Sequence, residues 1–600
     1  MNSSNLTTPD SIGRRSLVVL FVLAFAFRLI YILQSSDNPL FGVPVVDAHS
    51  YAKWAERMAQ GVWLWDYVGN YLPIYPAFLA LQQIVFGSGP LINKIIQCLM
   101  GSLSAVLLAQ AAARAWNRKI GLVTGYLVAT NWLLVVFEAE KFAESFSIFF
   151  QSLTLWLLIF FPRRLWAVTA AGFAFALSAG ARANLFLVLP FILGWLIWKN
   201  RSQRTRAVTS AILFCIGTVL VIGPILERNY RLTGVPMLRA QGTWSLYSGI
   251  SPEFEGLHPP TGILFNKYMD KPFQAGMRTV AEIERYWGRK ILEVIRDDPG
   301  GIAANFFKRL LIFCNAREWS QEFDVYIYRS YSGFLSLPWP GFWLIGPFGF
   351  LGLLLSRRLS GNQWLVFGYT VIGILSIIPF KASDRYRLPT AALLTIFAAV
   401  ALWQLYRWSL AAEKKKLYAG VAALGALCLV CWPDWPNLQA RKTARHDFYI
   451  GLQNETNGRL DEAVSFYEAS MNKFPWDPDS PYRIGRILFR RGEPERGMVF
   501  LREALKREPE FPKAMNEVAR VYLGADRVAD ANEQARASLA LNPVEIDTLL
   551  LMADIRRRQG NVAGEIDFLR RAALEAGDAA SSMVLALSLI HISEPTRPTT

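Results

Sequence analysis

"VVLFVLAFAFRLIYIL", residues 18–33, carries one charge, Arg28, in an otherwise apolar run. Arg14 and Arg15 stand in front of it. A stretch of this kind is long and greasy enough to cross a bilayer rather than to line a soluble core. No small-residue cleavage site follows it, so it reads as a retained first span and not as a removed signal peptide. The rest of the 600-residue chain agrees with this start. It is 53% hydrophobic, 13% aromatic and only 18% charged. Its mean hydropathy is +0.24.

Working outward, apolar runs give eleven candidate spans, at about 16–34, 91–113, 120–137, 144–161, 165–180, 184–198, 207–224, 338–356, 363–380, 389–409 and 417–432. The basic clusters fall at alternate connections. They are Arg14 and Arg15, Arg114 to Lys119, Arg163 and Arg164, Lys199 to Arg206, Arg357 and Arg358, and Arg407 with Lys414 to Lys416. That alternation is the positive-inside pattern, and it puts the N-terminus in the cytoplasm. An odd count of spans then puts the C-terminal part outside, with the long loops 35–90 and 225–337. The net charge of +16 follows the same logic. Residues 441–580 hold 22 Lys and Arg against 23 Asp and Glu, so the excess lies between the apolar runs. A nucleic-acid binder would gather it on a soluble face, and none is expected as a partner. Span centres lack acids and no inverted repeat is visible, which argues against a transporter. Five cysteines make no disulfide framework; Cys428 and Cys431 form a C-x-x-C inside an apolar run and read as packing.

After residue 432 the character changes. A linker is expected at 433–443 and four helical repeats at 444–579. Gly458, Gly492, Asp526 and Gly560 are spaced 34 apart, as are Pro475, Pro509, Pro543 and Gly577. Gly451, Gly485, Ala519 and Ala553 keep the same step, with Ala463, Gly497 and Ala531 between. Small residues let the two helices of a hairpin pack closely, and proline ends the second. The period and pattern resemble the tetratricopeptide repeat. Such solenoids present a concave surface, so a protein or peptide partner is expected there. "LSLIHISEPTRPTT", 587–600, breaks the pattern and resembles a translated sequencing-adapter string, with further repeats expected in its place. The fold class expected is therefore mainly α, a polytopic helical membrane domain over 1–432 followed by an α-solenoid.

Candidate chemistry sits at the outer ends of the spans. Asp47 opens an amphipathic pattern, "DAHSYAKWAERMAQG", just beyond the first span. A carboxylate placed there can take a proton from a hydroxyl arriving from the aqueous side, or it can cap the helix it begins. His49 reads as a helix-start histidine. Arg28 can snorkel, pair with an acid or meet a substrate. "FEAEKFAES" places Glu140 and Glu144 one turn apart, Arg182 lies in the turn "AGARANL", and "KASDRYRLP" packs Lys381, Asp384, Arg385 and Arg387 into one outer loop. A guanidinium cluster at that interface suits a lipid-attached phosphate. No zinc-type spacing and no nucleotide-binding glycine motif is present.

In order and spacing, "YAKWAERMAQG", "LPIYPAFLALQQIVFG", "FEAEKFAES", "GPILERNYRLTGVPML", "IRDDPGGIAANFFKRLLIFCNAREW" and "RYRLPTAALLTIFAAVAL" resemble the family 39 glycosyltransferases. These form a branch of the GT-C superfamily that includes protein O-mannosyltransferases and aminoarabinose-lipid transferases. The resemblance implies inverting transfer of a sugar from a polyprenyl-phosphate donor to an acceptor hydroxyl on the outer face of a bacterial inner membrane. It implies Asp47 as the catalytic acid-base residue, with Ala48 where many members carry a second acid. Arg385, Arg387, Tyr386 and Arg28 would hold the donor phosphate, with Glu140, Glu144 and Arg182 behind them or at the acceptor. No cofactor is expected to be required; a divalent metal is the family's variable element. The alternative is a membrane-anchored repeat scaffold for envelope glycan assembly with no catalysis of its own.

Overall fold

The structure is a computed structural model. It describes residues 11–63, 68–254, 263–320, 323–380, 383–433 and 439–576. Lys381, Gly577 and the segment 587–600 lie outside the described residues. Every regular element among the described residues is helical. The chain starts with α1 (Arg14–Gln34), and the segment after it adds α2 (Asp47–Ala59) and α3 (Ile74–Phe86). Then come α4 (Pro90–Ala115), α5 (Arg118–Ala129), α6 (Trp132–Glu138), α7 (Glu144–Phe160), α8 (Leu165–Ala181), α9 (Leu189–Lys199) and α10 (Arg204–Thr233). The large loop carries α11 (Gly242–Ile250), α12 (Ile263–Gln274), α13 (Val280–Asp297), α14 (Pro299–Cys314) and α15 (Val325–Ser330). The apolar part closes with α16 (Phe342–Leu355), α17 (Gly361–Ile377), α18 (Asp384–Leu410) and α19 (Lys414–Cys431).

Each of the eleven apolar runs is helical. By length and composition, α1, α4, α10 and α18 can each cross a membrane, and α5 with α6, bent by 52°, would make a fifth span. The other apolar helices are shorter. One of them is α3, which the hydropathy pattern left inside a loop; its Leu81, Ile84, Val85 and Phe86 face outward. A helix that is apolar all round belongs inside a bundle, and one with a bare apolar face belongs against lipid. The two cases are distinct here. The apolar window of α18 is 78% buried, whereas those of α1 and α10 are 33% buried.

Close helix contacts depend on small residues, as expected where lipid gives no hydrophobic drive to pack. Gly172 on α8 lies against the backbone of Phe214 on α10, and Gly217 on α10 lies against the backbone of Thr169 on α8. A Cβ at either position would overlap a carbonyl oxygen, so only glycine allows this approach.

The repeat hairpins are α20 (Gln439–Thr456) with α21 (Leu460–Lys473), α22 (Asp479–Arg490) with α23 (Pro494–Arg507), α24 (Pro512–Gly524) with α25 (Val528–Leu541), and α26 (Ile546–Arg558) with α27 (Val562–Ala576). The 34-residue turn positions have one cause. Gly458, Gly492, Asp526 and Gly560 all have positive φ, between 57° and 81°. That region favours glycine and tolerates aspartate, and it lets the chain reverse after the first helix of each hairpin. The expected linker 433–443 is shortened by α20, which begins at Gln439.

The chain divides into two compact units. One joins 1–258 to 287–438, and the other joins 259–286 to 439–600. Residues 263–286 of the large loop, expected with the membrane domain, thus group with the repeats.

Replacing Gly172 or Gly217 by alanine should force α8 and α10 apart. The expected loss is about 1–3 kcal/mol, the usual range for overpacking. It is checked by thermal unfolding of the detergent-solubilised protein, where Gly194→Ala, with no neighbour within 4 Å of the added carbon, should leave the midpoint unchanged.

Candidate active site

Four charges from four parts of the apolar unit meet at the start of α18. Arg385 Nη1 lies 2.6 Å from Asp47 Oδ2. Its Nε lies 2.7 Å from Glu144 Oε1. Arg182, at the end of α8, also pairs with Glu144. The two arginines are braced by rings, with Arg385 4.5 Å from the centre of Phe142 and Arg182 4.6 Å from the centre of Tyr386. Among the described residues, two carboxylates thus face two guanidinium groups. An unbalanced charge in such surroundings would be very costly.

The cluster is graded in exposure. The side chains of Arg385 and Glu144 are each 1% exposed, whereas that of Asp47 is 18% exposed. Asp47 is thus the charged end that a ligand can reach. It is also held from a second side, because the Tyr71 hydroxyl donates to Asp47 Oδ1 at 2.6 Å. Tyr51, one turn along α2, packs edge-on against Tyr71 at 4.9 Å. Burial pushes the Tyr51 phenol up to about 12, against the pull of Arg385, so it stays protonated.

The helix α2 begins at Asp47, and its N-cap position is Val46, whose side chain makes no capping hydrogen bond. Val46 has φ of 49°, a costly region for a β-branched residue, so strain sits one residue before the candidate base. Glu144 opens α7, where the positive end of the helix favours an acid.

The expected residues do not all converge. Glu140 and Glu144 are separated by a turn between α6 and α7, and Glu140 pairs with Lys94 at 3.2 Å. Arg387 turns into a different ion pair, with Glu318, and donates to the carbonyls of Phe313 and Asn315 at 2.8 and 2.6 Å. It also lies 3.7 Å from the ring centre of Phe342. Its evident task is to fasten the end of the large loop to α18. Arg28 is buried against Glu138 and donates to the carbonyls of Ala24 and Ala129 at 2.9 and 3.0 Å. Neither Arg28 nor Arg387 is brought to Asp47.

Arg28 instead secures the turn that presents the acids. Lys94 donates to the carbonyl of Ala139. Gln97 Nε2 donates to the carbonyls of Glu138 and Glu140 at 3.1 and 2.6 Å. Its Oε1 accepts from Tyr75 and Ser145 at 3.0 and 2.7 Å. The close approach of α4 needs Gly101, where a Cβ would overlap the Glu138 carboxylate. Tyr71, Phe142, Lys94, Gln97 and Glu318 went unnoticed in the sequence. The one available signal was the unusual density of polar residues in α4, where "NKIIQ" interrupts a span.

The cluster retains capacity for a ligand. Glu144 Oε2 and Arg182 Nε are buried without a hydrogen-bond partner in the described structure, and buried polar atoms are rarely left so. Both carboxylates already face guanidinium groups, and among the described residues no three His, Cys, Asp or Glu side chains gather.

No family model and no curated protein matches the chain. Among solved structures, the archaeal oligosaccharyltransferase AglB from Archaeoglobus fulgidus, in complex with an inhibitory peptide and a dolichol-phosphate, aligns at 13% identity and a TM-score of 0.40. The alignment covers 74% of this chain and 59% of AglB. YrrB, a TPR protein with an unusual peptide-binding site, aligns at 16% identity over 32% of this chain and 91% of its own, with a TM-score of 0.22. Pseudomonas aeruginosa pilF aligns at 16% identity over 32% and 82%, with a TM-score of 0.23. The function proposed for this chain rests on its side chains and not on these partial superpositions.

Arg28→Met should strand the buried Glu138 carboxylate and cost about 3–5 kcal/mol, the usual result of breaking one side of a buried pair. The double variant Arg28→Met/Glu138→Leu should recover most of that loss. Thermal unfolding of wild type, single and double variants checks it. A double variant no better than the single would assign Arg28 a role apart from Glu138.

Proposed function

We propose that the chain is a membrane glycosyltransferase of the GT-C type. In this reading it moves a sugar from a polyprenyl-phosphate donor to an acceptor hydroxyl at the outer face, with inversion. The observation that carries the reading is the contact of Asp47, the reachable carboxylate, with Arg385, the buried cation at the N-terminus of α18.

A carboxylate clamped by a guanidinium group is a weak base. The arrangement works as catalysis if the donor itself releases the clamp. A lipid-linked phosphate can take the Arg385 fork in the two-pronged manner that arginine favours, aided by the amides and dipole at the start of α18. Asp47 is then freed beside the acceptor. It takes the hydroxyl proton as the acceptor oxygen bonds to the anomeric carbon. The bond from that carbon to the phosphate oxygen breaks, and the polyprenyl phosphate leaves as an anion facing Arg385 and Arg182. A single displacement of this kind inverts the anomeric centre. The phosphate is already a competent leaving group, so no nucleotide is needed.

Topology supports a shared outer side for the soluble parts. Residues 263–286 group with the repeats in one unit, which supports a reading with the large loop and the tail on the same side of a membrane. The four apolar helices between them, α16 to α19, satisfy that parity if each crosses. The repeats would recruit a protein or peptide partner, the acceptor or another envelope enzyme among the candidates.

Asp47→Asn keeps an acceptor for Tyr71 but removes the base. Sugar transfer in membranes should fall about 10²–10⁴-fold, the span that general base catalysis supplies, with the protein level unchanged. Full transfer by that variant would refute the assignment. If transfer also survives in Asp47→Asn but is lost on deleting residues 433–600, the scaffold reading holds instead.

A further inference from the structure

The segment of the large loop that joins the repeat unit is held by a small polar site. Helix α12 packs against α25. Gln274 Nε2 on α12 donates to the carbonyl of Leu541 at 2.7 Å. Asp270, 8% exposed, accepts from Asn542 Nδ2 at 2.9 Å. The same amide donates to Glu545 Oε2 at 3.4 Å. One amide group therefore stands between two carboxylates, one from the loop and one from the turn that joins α25 to α26. Lys513, in the first turn of α24, is the cation acting on both.

We propose that the turn Leu541–Glu545 is a docking surface for the loop's own helix α12, and that the contact holds best with a proton shared between Asp270 and Glu545. Two carboxylates that meet one amide and one lysine cannot both ionise without cost. Burial, then Glu545, pushes the Asp270 carboxyl up to about 7, with Lys513 and the Asn542 hydrogen bond pulling the other way. Glu545 is raised as well, by burial first and by Asp547 in addition, with Lys513 opposing. The sign follows from these directions. An acid raised on docking binds more protons docked than free, so the contact is strongest below its ordinary range and weakens as pH rises toward about 7. Acid surroundings tether the loop to the solenoid, and neutral or alkaline surroundings loosen it.

The consequence is an interaction surface that the chain itself occupies, at the turn between the third and fourth hairpins. A partner carrying an uncharged hydrogen-bonding side chain in place of Asp270 would compete for it at every pH. The inference stands apart from the proposed transfer reaction.

The test is hydrogen exchange of the full-length protein in detergent, followed in peptides covering residues 268–274 and corrected for the intrinsic pH dependence of exchange. Wild type should lose up to about a hundredfold protection between pH 5 and pH 8, because about two pKa units of the Asp270 shift fall inside that window. Asp270→Asn should keep its protection at both values, and Asn542→Ala should lose it at both. Glu545→Gln, on the solenoid side, should reduce the pH dependence without disturbing the loop. Protection in wild type that does not change with pH, or a pH dependence that persists in both Asp270→Asn and Glu545→Gln, would overturn the proposal.

Discussion

Charge neutrality inside an apolar bundle is the constraint on which the charged end of the apolar unit depends. Asp47, Glu144, Arg182 and Arg385 arise on separate elements, and none is stable there alone. Their pairing draws α2, α7, the end of α8 and the start of α18 to one point. The same rule governs the pairs beside it. Arg28 with Glu138 joins α1 to α6, Lys94 with Glu140 joins α4 to the turn after α6, and Arg387 with Glu318 joins α18 to the large loop. Each pair is a tie between helices as well as a neutralised charge.

This division of labour separates charges that hold the scaffold from charges that can act. Arg28 and Arg387 are enclosed by carboxylates and carbonyl oxygens. The four-charge cluster differs because one member, Asp47, is partly exposed, and because Glu144 and Arg182 keep unused hydrogen-bonding atoms. In the proposed reaction, a cluster of paired acids and guanidinium groups would accept an anion on its cationic side while its acidic side receives a proton. In that proposal, phosphate departure and proton capture would leave the total charge nearly constant, which limits the reorganisation that the surroundings must supply.

Much of the fold was legible in the sequence because its signals are local. Apolar runs mark helices wherever they occur, and the 34-residue step of Gly458, Gly492, Asp526 and Gly560 reports a positive φ that each hairpin turn demands. The acid Asp47 just beyond the first apolar run and the arginines of "KASDRYRLP", 381–389, were legible for the same reason. Pairing was not. Arg28 and Glu138 are 110 residues apart, and Arg385 and Asp47 are 338 apart. Nothing in either segment names its partner, so Arg28 and Arg387 looked as suited to a ligand as Arg385. Tyr71 was equally hidden, being one tyrosine in an aromatic-rich loop. The capture of 259–286 by the repeats was also illegible, since it depends on a surface assembled from α24, α25 and the turn beyond it.

The central claim is that donor phosphate and Asp47 compete for Arg385. An experimental structure of the protein with a polyprenyl phosphate bound tests it most directly. The account predicts phosphate oxygens within hydrogen-bond distance of Arg385, and the Asp47 carboxylate separated from that guanidinium while still held by Tyr71. A bound phosphate away from Arg385, with the Asp47–Arg385 pair intact, would contradict it.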